Sequence, residues 1–91
     1  MKTYNEIRAL AAELDARLPK RESELGMNVC VWAEKDECCD TGEIHCAPAN
    51  RGIFNSEGYI MYVEEIVLFA KYHDLSVHTC SYETGAGLRL S

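Results

Sequence analysis

Apolar residues recur at steps of three and four from Tyr4 through Ile7, Ala11 and Leu14 to Leu18, the stripe of an amphipathic helix that Leu10 widens. Thr3 and Glu6 open the run in the Thr-x-x-Glu spacing of a capping box, where each side chain satisfies a backbone N–H left open by the first turn. Pro19 ends the pattern, because its ring disfavours helical geometry at the residue before it. Glu6, Arg8, Glu13, Asp15 and Arg17 fall on the outer face, which reads as solvated surface.

Beyond a polar connector at 20–26 the period shortens to two. Residues 27–33 are rich in β-branched and aromatic side chains, with Val29 and Val31 on one face and Cys30 and Trp32 on the other. Both faces are apolar, which predicts a strand inside a sheet rather than at its edge. A charged loop over 34–42 ends in Asp-Thr-Gly, a turn signal, and 43–47 predicts a short antiparallel return. The stretch 48–56, with its Asn, Gly and Pro, predicts a surface loop.

A second helix is expected over roughly 57–73. Tyr59, Ile60, Tyr62, Val63, Ile66, Val67, Phe69 and Ala70 occupy more than half its circumference, predicting the most buried element, with Glu64, Glu65, Leu68 and Lys71 outward. Tyr62 shares a stripe with Ile66 and Phe69 and is expected in the core, Tyr72 outside it. Residues 75–82 read as a strand, 83–87 as a turn that accounts for Gly85 and Gly87, and 88–90 as a short last strand.

The elements run α-β-β-α-β-β. The expected fold class is α+β, with two helices packed on one face of a mainly antiparallel, about four-stranded sheet, since that arrangement buries both helical stripes. A doubled αββ unit is visible in the order alone, for the halves share no residue pattern. Ninety-one residues are expected to form one small domain, 1–91.

Composition narrows the function. Hydrophobic residues make up 47% of the chain, too many for a disordered one. Nine Lys and Arg against fifteen Asp and Glu leave a formal charge of −6, a field that repels nucleic acid. The one basic group, Arg17, Lys20 and Arg21, is diluted by Glu13, Asp15, Glu22 and Glu24. No apolar run approaches the ~18 residues that cross a bilayer. Met1 to Glu6 lacks a signal peptide's pattern, so a cytoplasmic location is expected. Five cysteines are an odd number, which favours free thiols or metal ligands over a closed disulfide framework.

Three sets of residues carry candidate chemistry. Cys38, Cys39, His45 and Cys46 gather thiolate and imidazole, the preferred zinc donors, within an acidic loop, with Cys80, His78 or His73 as a further ligand. Against zinc, adjacent cysteines and an adjacent His-Cys do not converge easily on one ion, and no Cys-x-x-Cys knuckle is present. On the strand 75–82, Ser76, His78, Cys80 and Tyr82 share a face, so His78 would activate Cys80, or Cys30 if its strand lies alongside. Phosphate-binding glycine loops and His-Glu-x-x-His are absent, and Glu64–Glu65 diverge by ~100° on a helix.

The third set is the acidic hairpin, Glu34, Asp36, Glu37, Asp40 and Glu43, whose five acids against Lys35 leave −4. It would dock on a basic surface and imitate nucleic acid, though −4 is modest for a mimic. A homodimer through an exposed sheet edge, the short last strand being the candidate, is a further expectation. The leading expectation is therefore a small cytoplasmic protein-interaction or regulatory protein without catalysis, of the compositional class common among phage and mobile-element products. The alternatives are a zinc domain at 38–46 and a thiol enzyme using Cys80 or Cys30 with His78.

Overall fold

Thr3 caps the first helix as its sequence requires. Its hydroxyl accepts from Glu6 N at 3.3 Å, and the Glu6 carboxylate accepts from Thr3 N at 3.4 Å. In a computed structural model, which describes residues 2–18, 29–49 and 57–91 of the chain, helix α1 runs Tyr4–Arg17 and buries Ile7, Ala11 and Leu14. Leu18 leaves it extended, at φ −75 and ψ 134, as a residue before proline must.

Four strands follow around a second helix: β1 Val29–Lys35, β2 Gly42–Pro48, α2 Glu57–Tyr72, β3 Val77–Tyr82 and β4 Gly85–Leu90. They form one antiparallel sheet in the order β1-β2-β4-β3. Lys35 pairs with Gly42 across the first hairpin, Tyr82 with Gly85 across the second, and Cys46 with Leu88 at the centre. The α+β order α-β-β-α-β-β is thus the observed one.

One face of the sheet is covered. Val29, Ile44, Cys46 and Leu90 meet Ile7, Ala11, Leu14 and Leu18 below α1 and Tyr62, Ile66, Phe69 and Ala70 below α2, in a single apolar cluster. Val31, Ala33, Leu75 and Leu88 pack against it. Alternation then sends Cys30, Trp32, Glu34, Glu43, His45, Tyr82 and Arg89 to the opposite, helix-free face.

Several expectations change here. Of the strand predicted over 27–33, residues 27 and 28 lie outside the described residues, and the rest belongs to β1, Val29–Lys35, an edge strand and not an interior one. Its second apolar face is accounted for by ring packing on the open side of the sheet. The expected turn over 83–87 is only two residues long. Gly85, at φ 137, and Gly87 both belong to β4, which lies inside the sheet. The last strand therefore offers no edge to a second copy, and the edges are β1 and β3. Among the described residues, the most buried element is β2, with five consecutive buried residues, not α2. Pro48 closes β2, whereas the rest of the expected loop through residue 56, apart from Ala49, and the connector 20–26 lie outside the described residues.

Helix α2 ends by a physical device the sequence hides. Asp74 turns left-handed at φ 56, Asp74 N donates to Lys71 O at 3.3 Å, and Leu75 N to Ala70 O at 2.8 Å. This is a Schellman close, with Leu75 completing it by packing on the core. No helix among the described residues is long and apolar enough to cross a membrane.

Candidate functional site: a ringed histidine on the open sheet face

β2 carries His45 on the face that no helix covers, yet the residue is only 6% exposed. Rings bury it. Trp32, its cross-strand partner on β1, stacks on it at 5.4 Å and 11° between planes. Tyr82 meets it edge-on at 5.7 Å and closes the triangle against Trp32 at 5.6 Å.

Tyr82 belongs to β3, two strands from β2, so its ring must cross β4. It does so over Gly87. A Cβ there would stand 2.6 Å from Tyr82 Cε2 and would fall on the Cys46 carbonyl oxygen. A side chain at position 87 and a ring lying flat across the sheet exclude each other, which is why β4 carries glycine at this point.

Both nitrogens of His45 are engaged. Nδ1 lies 2.6 Å from the Tyr82 hydroxyl, which has the Leu88 carbonyl as a second acceptor at 3.4 Å. Nε2 lies 3.1 Å from Glu34 Oε2 and 3.1 Å from Glu43 Oε1. Glu34 and Glu43 are direct cross-strand partners, a like-charge pairing that is unfavourable unless positive charge stands between them. The imidazole edge supplies that position, and Arg89 NH1 approaches Glu43 Oε2 at 3.5 Å from β4. Trp32 Nε1 donates to the outer oxygen of Glu34, Oε1, at 3.2 Å.

Burial pushes the Tyr82 phenol well above its ordinary range, with the Cys80 side chain beside it and the charges of Cys80, Cys46 and Glu34 adding to the effect. The phenol therefore keeps its proton and serves His45 as a neutral hydrogen-bonding group. Among the described residues, neither imidazole nitrogen meets a thiol or an aliphatic hydroxyl. The arrangement sets Nε2 between two carboxylate oxygens at 3.1 Å each, a geometry that suits a cation there.

The thiol set is distributed differently. Cys38 and Cys39 are exposed in the β1–β2 turn, where Asp36 Oδ1 accepts from their backbone N–H groups at 2.8 and 3.3 Å. Cys46 points into the core, opposite to His45, and burial pushes its thiol up to about 12. Among the described residues, the group of His, Cys, Asp or Glu atoms placed to hold an ion is Glu34, Glu43 and His45, within 4.8 Å of one another. His45 thus belongs to the candidate site with a different set of partners.

Cys30 stands on edge strand β1 and His78 on edge strand β3, at opposite sides of the sheet, so these two are not neighbours. Cys80 shares its strand face with His78, and its Sγ contacts the Ser81 carbonyl at 4.0 Å. Of the acidic hairpin, Glu34 and Glu43 turn to His45 and Asp36 to the turn backbone, while Glu37 and Asp40 stand exposed. Arg17 pairs with Glu13 at 3.3 Å, and its basic companions Lys20 and Arg21 lie outside the described residues.

The placement of Trp32, Tyr82 and Arg89 around His45 was not visible to sequence reasoning. A partial signal existed: Trp32–Glu34 and Glu43–His45 are each two apart and share a face on the two arms of one hairpin. Comparison with family models, with curated proteins and with solved structures gave no match to this chain.

Proposed function

We propose that this protein acts in the cytoplasm by binding another protein, without catalytic chemistry of its own, through the outer stripe of α2. One observation supports this reading above the others. Met61, Leu68 and Tyr72 are 55%, 62% and 83% exposed, and their spacing of seven and four places them in one line along the helix. Tertiary packing uses a different stripe, Tyr62, Ile66 and Phe69, roughly 100° round the helix. An apolar line left in water beside a stripe that packs on the core is the form that helix-in-groove recognition takes.

Glu64 and Glu65 border the stripe, and the chain carries −6 overall, so the matching groove is apolar with a basic rim. The α2 stripe is favoured over the acidic hairpin, because three of the hairpin's five carboxylates are already turned inward to His45 or to the turn.

A photoreactive residue placed at Leu68 in native host cells tests the reading. Protein adducts are expected from position 68, lost when Met61→Glu is added, and not from a control at exposed Arg8. Equal adducts at both positions, or none at 68, refute it. Sedimentation of the purified chain then tells a second copy from a different partner.

A further inference from the structure

We propose that Glu34, Glu43 and His45 form a binding site for a divalent transition metal ion, with Zn²⁺ as the reference case. The site is separate from the α2 stripe and shares only His45 with the cysteine-rich set. Three donors converge: His45 Nε2 lies 3.1 Å from an oxygen of each carboxylate, and all three ligand atoms fall within 4.8 Å. A tetrahedral zinc with bonds of ~2.0–2.1 Å separates its ligand atoms by roughly 3.3–3.4 Å. The two Nε2–oxygen sides need to open by only a few tenths of an ångström to reach that separation.

A second observation is independent of that convergence. The remaining polar atom of every ligand is already held. Trp32 Nε1 fixes the outer oxygen of Glu34 at 3.2 Å, Arg89 NH1 approaches that of Glu43 at 3.5 Å, and the Tyr82 hydroxyl engages Nδ1 of His45 at 2.6 Å. Metal ligands carry such outer partners, which aim the coordinating atoms before the ion arrives. When the Tyr82 hydroxyl donates to the Leu88 carbonyl, its oxygen accepts Nδ1–H, and the Nε2 lone pair then faces both carboxylates. A cation makes that tautomer favourable.

Donor chemistry narrows the ion. One imidazole and two carboxylates suit Zn²⁺ and its first-row neighbours. Mg²⁺ prefers oxygen alone, and Cu⁺ prefers sulfur. The side chain of His45 is 8% exposed and that of Glu34 56%, so the ion enters from the solvent side and keeps water there. A three-ligand site with an open position results.

The test is equilibrium dialysis of the full chain against Zn²⁺ after chelator treatment, in a Cys38→Ser/Cys39→Ser background that removes the exposed thiols. One ion per chain is expected in that background, with affinity at least about tenfold weaker once Glu34→Gln and Glu43→Gln are added. The glutamine pair keeps side-chain size, and circular dichroism verifies its fold. Trp32, the only tryptophan, stacks on the ligand His45, so paramagnetic Co²⁺ should quench its emission at the same midpoint. Zn²⁺ binding that vanishes with the serine pair, or that the glutamine pair leaves unchanged, overturns the site. So does the lack of saturable binding up to millimolar Zn²⁺.

Discussion

His45 and Cys46 are adjacent, and the pleat sends them to opposite sides of the sheet. Cys46 is 1% exposed among apolar side chains, and burial moves its thiol from 9.0 to about 12. The unfolded chain loses this proton near the lower value while the folded chain retains it. Between the two the folded state binds the extra proton, so stability falls as pH rises through that window. Tyr82, whose ionisation burial also pushes up, adds a loss of the same sign. The denaturation midpoint should therefore drop between about pH 8 and about pH 11, and drop less steeply in Cys46→Ala. Parallel slopes for the two proteins would show that Cys46 is not responsible. The alternation that separates His45 from Cys46 was legible in the sequence, as was the split of Val29 and Val31 from Cys30 and Trp32. The meeting of His45 with Tyr82 was not, because a ring lying across a neighbouring strand depends on strand order and on a glycine that reads as a turn residue.

At the scale of elements, the start of α1 was written in four residues, since a capping box is a local interaction that needs no tertiary partner. The end of α2 was not, because aspartate stands where glycine usually signals the left-handed turn. At φ 56 Asp74 bears a cost of roughly 1–2 kcal/mol. Its carboxylate also faces the negative end of the helix, worth roughly 0.3–1 kcal/mol. Glycine removes both and returns about 0.5–1 kcal/mol in chain entropy. Asp74→Gly is thus expected to stabilise the protein by about 1 kcal/mol, a rise in melting temperature of roughly 4–8 °C for a chain of this length. An unchanged or lower melting temperature would show that the Asp74 side chain contributes an interaction that glycine loses. Helix α2 was also over-assigned to the interior. Its apolar residues take up more than half its circumference, but among the described side chains the sheet shared with α1 covers Tyr62, Ile66, Phe69 and Ala70.

At the scale of the molecule, element types and their sequence were readable from period and turn residues, and the order of the strands was not. Periodicity tells which face of a strand is apolar, yet it does not tell which strand lies beside it. The order β1-β2-β4-β3 makes each hairpin contribute one edge and one interior strand. The two αββ halves touch within the sheet only where β2 meets β4, through Ile44–Leu90, His45–Arg89 and Cys46–Leu88. Interrupting the chain between residues 52 and 53 should yield two pieces that are unstructured alone and regain the native dichroism when mixed. A first piece that folds by itself would contradict this.

That narrow central seam has a consequence for crowding inside a cell. If each half needs the other to fold, two molecules at high concentration can trade halves and form an interlocked pair that keeps the β2–β4 pairing. Reciprocal exchange of this kind leaves the α2 stripe in two copies on one body, so a partner of the proposed kind would meet a two-handed grip.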